Sequence, residues 1–300
     1  MKIMQKEAVE KYHKSHGIVS ISATAGTTLT GGIDNLLEIA KICQEKNIWF
    51  HVDAAYGGSA LMSPELRPLF KGIEQADSIT MDLHKWFYMS LDCSAILYKN
   101  PKNAMTLFSD TYKSKYFDPV KFSNSHEFFK LGPELSRRMR ALAPYIAFRH
   151  FGMDKMGRNV LFNVQTAKYL AARVKEDPAL ELLYESKLSV CLFRMKLPPT
   201  LPFAKEQIND QDRTETKIHQ IAEDDLNNFI REKIEEQGSF VMSEAYMADR
   251  PVLRCMIVNY NTRPSHIDQL LVDIKHVGNK WIETHTININ VSKKMHVLKI

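Results

Sequence analysis

Residues 48 to 52, Ile-Trp-Phe-His-Val, form a continuous apolar run of the kind expected of a strand buried on both faces. Such a strand needs a packed layer on each side, which points to an α/β architecture. Upstream, Val19 to Ala23 reads as a short strand that opens into the loop Thr24-Ala25-Gly26-Thr27-Thr28. Asp34 then caps a helical pattern through Leu36, Leu37, Ile39, Ala40 and Cys43, which Asn47 ends. Ser78 to Met81 and Ala95 to Tyr98 are two further strand candidates. Strand, helix and strand at this spacing make a βαβ unit, so residues 17 to about 100 are expected to form part of a mostly parallel sheet.

Beyond Gly132 the pattern changes. Leu135, Met139, Leu142, Ile146 and Arg149 recur at helical spacing, with a kink expected at Pro144. Val160 to Val174 continues as an amphipathic helix. A strand over Leu188 to Leu197, a loop over Leu197 to Asp212 and a helix over Asp224 to Glu236 follow. Ser239 to Met247 and Leu253 to Asn259 read as strands, and Ser265 caps a helix running through Trp281. The tail from Ile287 to Ile300 is either a strand or a frayed end. Two domains are therefore expected: 1–150, carrying part of a large α/β domain, and 151–300, a smaller α+β domain.

Composition narrows the function classes. With 44% hydrophobic and 25% charged residues the chain is globular rather than disordered or fibrous. Its net charge of +5 is mild and spread along the chain, so no nucleic-acid partner is expected. The four cysteines, Cys43, Cys93, Cys191 and Cys255, lie far apart with no CxxC spacing, which argues against a disulfide framework or a zinc site. A reducing, cytoplasmic setting fits that usage. No run approaches the roughly 18 apolar residues of a membrane span, and residues 1–17 are polar and charged.

One constellation carries chemistry. His51-Val52-Asp53-Ala54-Ala55-Tyr56 sets a carboxylate just past a strand, and Asp82-Leu83-His84-Lys85-Trp86 sets a lysine just past the next. Ligands of open α/β sheets bind at the carboxyl ends of strands, so Asp53 and Lys85 are expected at one edge. A carboxylate and a lysine that converge there suit pyridoxal phosphate: the lysine forms a Schiff base and the acid holds the ring nitrogen protonated. Ala55 leaves room for a flat ring, and His84 is placed to donate to a phosphate or to a backbone group. Each piece alone has a plainer explanation. Asp53 could be a loop cap, His84-Lys85 a surface pair and Thr27-Thr28 turn chemistry.

Taken in order, His51 to Gly58, Ala76-Asp77-Ser78 and His84-Lys85-Trp86 resemble the pyridoxal-phosphate-dependent group II amino acid decarboxylases. Ala23 to Thr28, Asp34-Asn35-Leu36, Asp92 to Ala95, Leu131 to Arg138 and Val252-Leu253-Arg254 extend the resemblance from about Ile18 to Ile274. It implies the type I aminotransferase-like fold, decarboxylation of an L-amino acid to an amine and carbon dioxide, and a homodimer in the full-length form. Residue by residue, it makes Lys85 the cofactor-bearing lysine and Asp53 the partner of the pyridine nitrogen. Ala55 is then expected against the ring, Thr28 near cofactor and substrate carboxylate, and His84 near the phosphate. Asp82 stands where some members carry Asn, a position implied to touch the phosphate. Ser109-Asp110-Thr111-Tyr112 resembles the family's catalytic loop, making Tyr112 the candidate general acid and Tyr116 a second candidate. The resemblance also implies that this chain enters the large domain partway, without the phosphate-binding residues and the ring-stacking histidine of the first half. Two other outcomes stay open: a family remnant acting through association, and an aldehyde-forming enzyme on the same cofactor. The turn at Ala54 to Gly58 leans towards the aromatic branch rather than glutamate.

Overall fold

The computed structural model describes residues 2–109, 128–198 and 215–297, which group into two compact units. Residues 1–27 and 32–161 form the first, and residues 28–31 and 162–300 the second. The sequence suggests a division at 150/151, whereas these units part between Leu161 and Phe162. Among the described residues no helix is long and apolar enough to cross a membrane.

The first unit opens with helix α1 (Lys2–His16) and is built on a four-stranded sheet, β1 (Ser20–Thr24), β2 (Trp49–Asp53), β3 (Ser78–Asp82) and β4 (Ser94–Tyr98), in that spatial order. β1, β2 and β3 are parallel, and β4 returns antiparallel to β3. Helix α2 (Leu36–Lys46) makes the crossover from β1 to β2 and packs on both strands. Leu36, Ile39, Ala40 and Cys43 form its buried stripe, the i, i+3, i+4, i+7 spacing of one helical face. Its N-cap is Asn35, whose side chain accepts the Glu38 N–H. Asp34, expected in that role, instead accepts the Thr24 N–H at 2.9 Å and braces the loop after β1.

The sheet has two unlike faces. Ala23, Phe50 and Val52 are buried on the side that α2 covers. The alternate positions carry Ser22, Thr24, Trp49, His51, Asp53, Ser78, Thr80, Asp82 and Ser94, which the strand register sets side by side. β2 is thus not apolar on both faces, as the run at 48–52 suggests. His51 is satisfied there by the hydroxyls of Ser78, 2.8 Å from Nδ1, and Thr80, 3.2 Å from Nε2. The Trp49 indole N–H also donates to Ser78 Oγ at 3.0 Å. Polar pairing inside a sheet lets a histidine sit in an otherwise apolar run.

After helix α3 (Pro101–Ser109), the helix expected from Leu135 begins only at Leu142, and α4 runs from there to Glu176. Pro144 lies in its first turn, where a missing N–H costs nothing. The break falls instead at Gly152, whose φ of 75° and ψ of 156° are non-helical.

The second unit takes the last turns of α4 and an antiparallel sheet of β5 (Leu180–Glu185), β6 (Val190–Met195) and β9 (Leu253–Met256), with β6 central. Helices α5 (Glu215–Glu236) and α6 (Pro264–Val297) pack together. Every residue of β6 is buried. Leu170, Val174, Phe193, Leu226, Ile230, Ile234 and Ile274 belong to the core around it. At the end of β6, the Asn227 side chain accepts the Met195 N–H and donates to the Met195 carbonyl, standing in for a strand partner. The strand expected over Ser239 to Met247 shrinks to β7 (Tyr246–Met247), which forms a two-residue hairpin with β8 (Arg250–Pro251). The tail after Trp281 stays helical to Val297 rather than turning to strand. Most of the loop expected over 197–212 lies outside the described residues.

Candidate active site

Three loops leave the carboxyl ends of β1, β2 and β3, and backbone hydrogen bonds tie them together. The Ala25 N–H donates to the Asp53 carbonyl at 2.7 Å, Ala54 to Thr80 at 2.9 Å and Asp82 to Ala55 at 3.1 Å. Gly26, at φ 115°, lies so close to the β2 loop that a Cβ there would sit 3.0 Å from the Gly57 backbone. Beneath the β2 and β3 loops, the rings of Tyr56 and Trp86 stack at 5.1 Å with planes 16° apart. Trp86 is fully buried. This stack joins the segment after Asp53 to the turn that carries Lys85.

Asp53 lies opposite Thr80, and Asp82 two residues further along β3 shares that face. Asp53 is exposed. Its Oδ1 accepts the Ala55 N–H at 3.0 Å, and among the described residues Oδ2 accepts none. Lys85 Nζ lies 2.8 Å from Asp82 Oδ2. Asp53 and Lys85 are therefore brought to one edge and one face of the sheet. Asp82 also accepts the Ser94 hydroxyl at 2.6 Å. Burial would push its carboxyl up, but the hydrogen bonds from Lys85 and Ser94, with the charge of Lys85, outweigh it and hold the carboxyl below its usual value.

His84 is pinned to the start of β4. Its N–H donates to the Cys93 carbonyl at 3.0 Å, and its Nδ1 accepts the Cys93 N–H at 3.1 Å. Because Nδ1 is an acceptor, the neutral ring carries its proton on Nε2, which lies 3.9 Å from Asp82 Oδ2. Ala55 is half-buried between its two backbone contacts. Thr27 Oγ1 accepts the Gly32 N–H at 2.9 Å, the turn chemistry expected of it. Thr28 groups with the second unit, so its loop divides between the two. Tyr112 and Tyr116 lie outside the described residues. Ser94, paired across the hairpin with Asp82, is a site residue that strand-end motifs miss, because its place depends on the β3–β4 register.

These side chains suit an aldehyde cofactor with a cationic ring and an anionic tail: an amine to anchor it, an acid with an open oxygen, and an imidazole N–H donor. Comparison with known proteins bears on the same point. Residues 1–196 match the family model described as the pyridoxal-dependent decarboxylase conserved domain. The chain belongs to that family, whose cofactor is pyridoxal phosphate.

The chain is 28% identical over 282 residues to the aromatic-L-amino-acid decarboxylase of Cavia porcellus, covering 91% of this chain and 52% of that protein. It is 32% identical over 250 residues to a phenylacetaldehyde synthase from a Rosa hybrid cultivar, covering 82% and 46%. A crystal structure of mouse CSAD superposes with a TM-score of 0.77 at 26% identity, covering 92% of this chain and 55% of that one. The chain thus spans about half the length of the relatives it matches. The fold is that of the type I pyridoxal-phosphate enzymes, with part of the large domain and a smaller α+β unit.

Proposed function

We propose that this chain supplies the lysine-bearing half of an enzyme that decarboxylates an L-amino acid to its amine and carbon dioxide. The observation that carries this reading is the placement of Lys85 and Asp53 on one face and edge of the sheet. Pyridoxal phosphate, when bound, supplies an electron sink for the pair left on the substrate α-carbon as carbon dioxide departs. Lys85 Nζ anchors it covalently, and Asp53 keeps a proton on the ring nitrogen by opposite charge. His84 Nε2–H donates to the phosphate, and Ala55 lies against the ring. Thr28 orients the substrate carboxylate. Tyr112 Oη delivers the proton that the α-carbon takes up once the carboxyl group has gone. The full-length protein acts as a homodimer in the cytoplasm, in keeping with four buried, reduced cysteines.

Borohydride reduction in the presence of pyridoxal phosphate, followed by peptide mass spectrometry, tests the anchor. The expected result is a reduced pyridoxyl adduct on Lys85 that disappears in Lys85→Ala. Labelling elsewhere, or labelling that survives the substitution, would overturn the assignment. Likeness to the rose aldehyde synthase favours a second outcome on the same cofactor, release of an aldehyde. Product analysis with a panel of L-amino acids, aromatic ones first, separates amine from aldehyde.

A further inference from the structure

We propose that Asp82 is a positioning residue for Lys85. Its carboxylate holds the lysine ammonium at a fixed resting place on the polar sheet face whenever the amine is not covalently engaged. This rests on the reading that Lys85 is the cofactor's attachment point. The 2.8 Å contact spans a tight turn closed by the Lys85 N–H donating to the Asp82 carbonyl at 3.1 Å. The carboxylate is itself well fixed: only 16% of its side chain is exposed, and Ser94 Oγ donates to Oδ1. β-Pairing puts Ser94 directly opposite Asp82, so that second donor is supplied by β4 whatever the lysine does.

Hydrogen bonds and nearby positive charge keep Asp82 ionised, and two consequences follow. An anionic carboxylate repels a phosphate, so Asp82 serves the lysine and the phosphate contact falls to His84 Nε2. A nitrogen held against Asp82 is not aimed at a carbonyl carbon. Lys85 must leave Asp82 before it can attack one, so this contact sets how much of the time the amine is available.

The test follows modification of Lys85 by trinitrobenzenesulfonate in the cofactor-free chain, read by peptide mass spectrometry, with exposed Lys71 in the same digest as reference. Asp82→Asn keeps the side-chain shape and removes the charge. It is expected to raise the Lys85-to-Lys71 rate ratio by about fivefold, the size of an ion pair near a protein surface. Ser94→Ala, which leaves the charge, is expected to change the ratio by less than about twofold. Molar salt is expected to raise the wild-type ratio towards the Asp82→Asn value, since Lys85 is 45% exposed and screening reaches it. A merely structural role would not respond to salt. An unchanged ratio in Asp82→Asn, a wild-type ratio indifferent to salt, or a Ser94→Ala effect as large as that of Asp82→Asn would each overturn the proposal. The labelling needs no cofactor, so its failure is distinguishable from failure of the borohydride experiment.

Discussion

Cys43, Cys93, Cys191 and Cys255 are all buried and reduced, and burial pushes each thiol up. Cys43 reaches about 11 and Cys255 about 12. Cys191 and Cys255 face each other across β6 and β9. At about pH 8 on the order of one Cys43 in a thousand is thiolate, so Ellman's reagent should react slowly with the native chain and faster as pH rises. All four are expected to titrate in concentrated guanidinium, and rapid native labelling would contradict the burial. The placement of Asp53 and Lys85 at one sheet edge was legible in sequence because each sits within a few residues of a strand end. Asp34 and Asn35 were not told apart, since both are good caps and only the path of the loop gives Asp34 the Thr24 N–H.

The hairpin of β7 and β8 turns through Ala248 and Asp249, at φ 50° and 62°. Two left-handed residues in a two-residue turn are the type I′ geometry that favours Asn-Gly. Alanine pays there for its Cβ, so Ala248→Gly is expected to stabilise the chain by about 1 kcal/mol, read as a higher midpoint in urea. A lower midpoint would mean that the turn is not strained. Elsewhere, β1 to β4 and α2 were legible within a residue or two because their apolar periods are strong. The start of α4 was not. Leu135, Met139, Leu142 and Ile146 keep helical spacing, yet all are exposed, so no buried face drives a helix through the first two. β5 was missed, its apolar positions being interrupted by Glu181 and Glu185 at exposed sites.

Among the described residues β1 pairs only with β2, and β4 only with β3, so both edges of the first sheet are open. Beside them Val19 is 87% exposed, and Ile96 and Leu97 are about half exposed. Open apolar edges template pairing between chains, so this chain is expected to self-associate with rising concentration in sedimentation velocity. Ile96→Lys places a charge on the β4 edge and should shift the population towards monomer. A chain that stays monomeric at every concentration would contradict this.

The order of residue types along the chain already specified the βαβ unit, the switch to a smaller helical and antiparallel unit, and the position of an acid and a lysine at strand ends. Those properties depend on neighbours a few residues apart, where period and capping leave a local mark. Folding in three dimensions decided that Asp53 and Lys85 share a face, that Ser94 backs Asp82 and that Tyr56 stacks on Trp86. Backbone hydrogen bonds set sheet register, and nearly every residue makes them alike, so pairing between distant segments leaves no such mark in the chain.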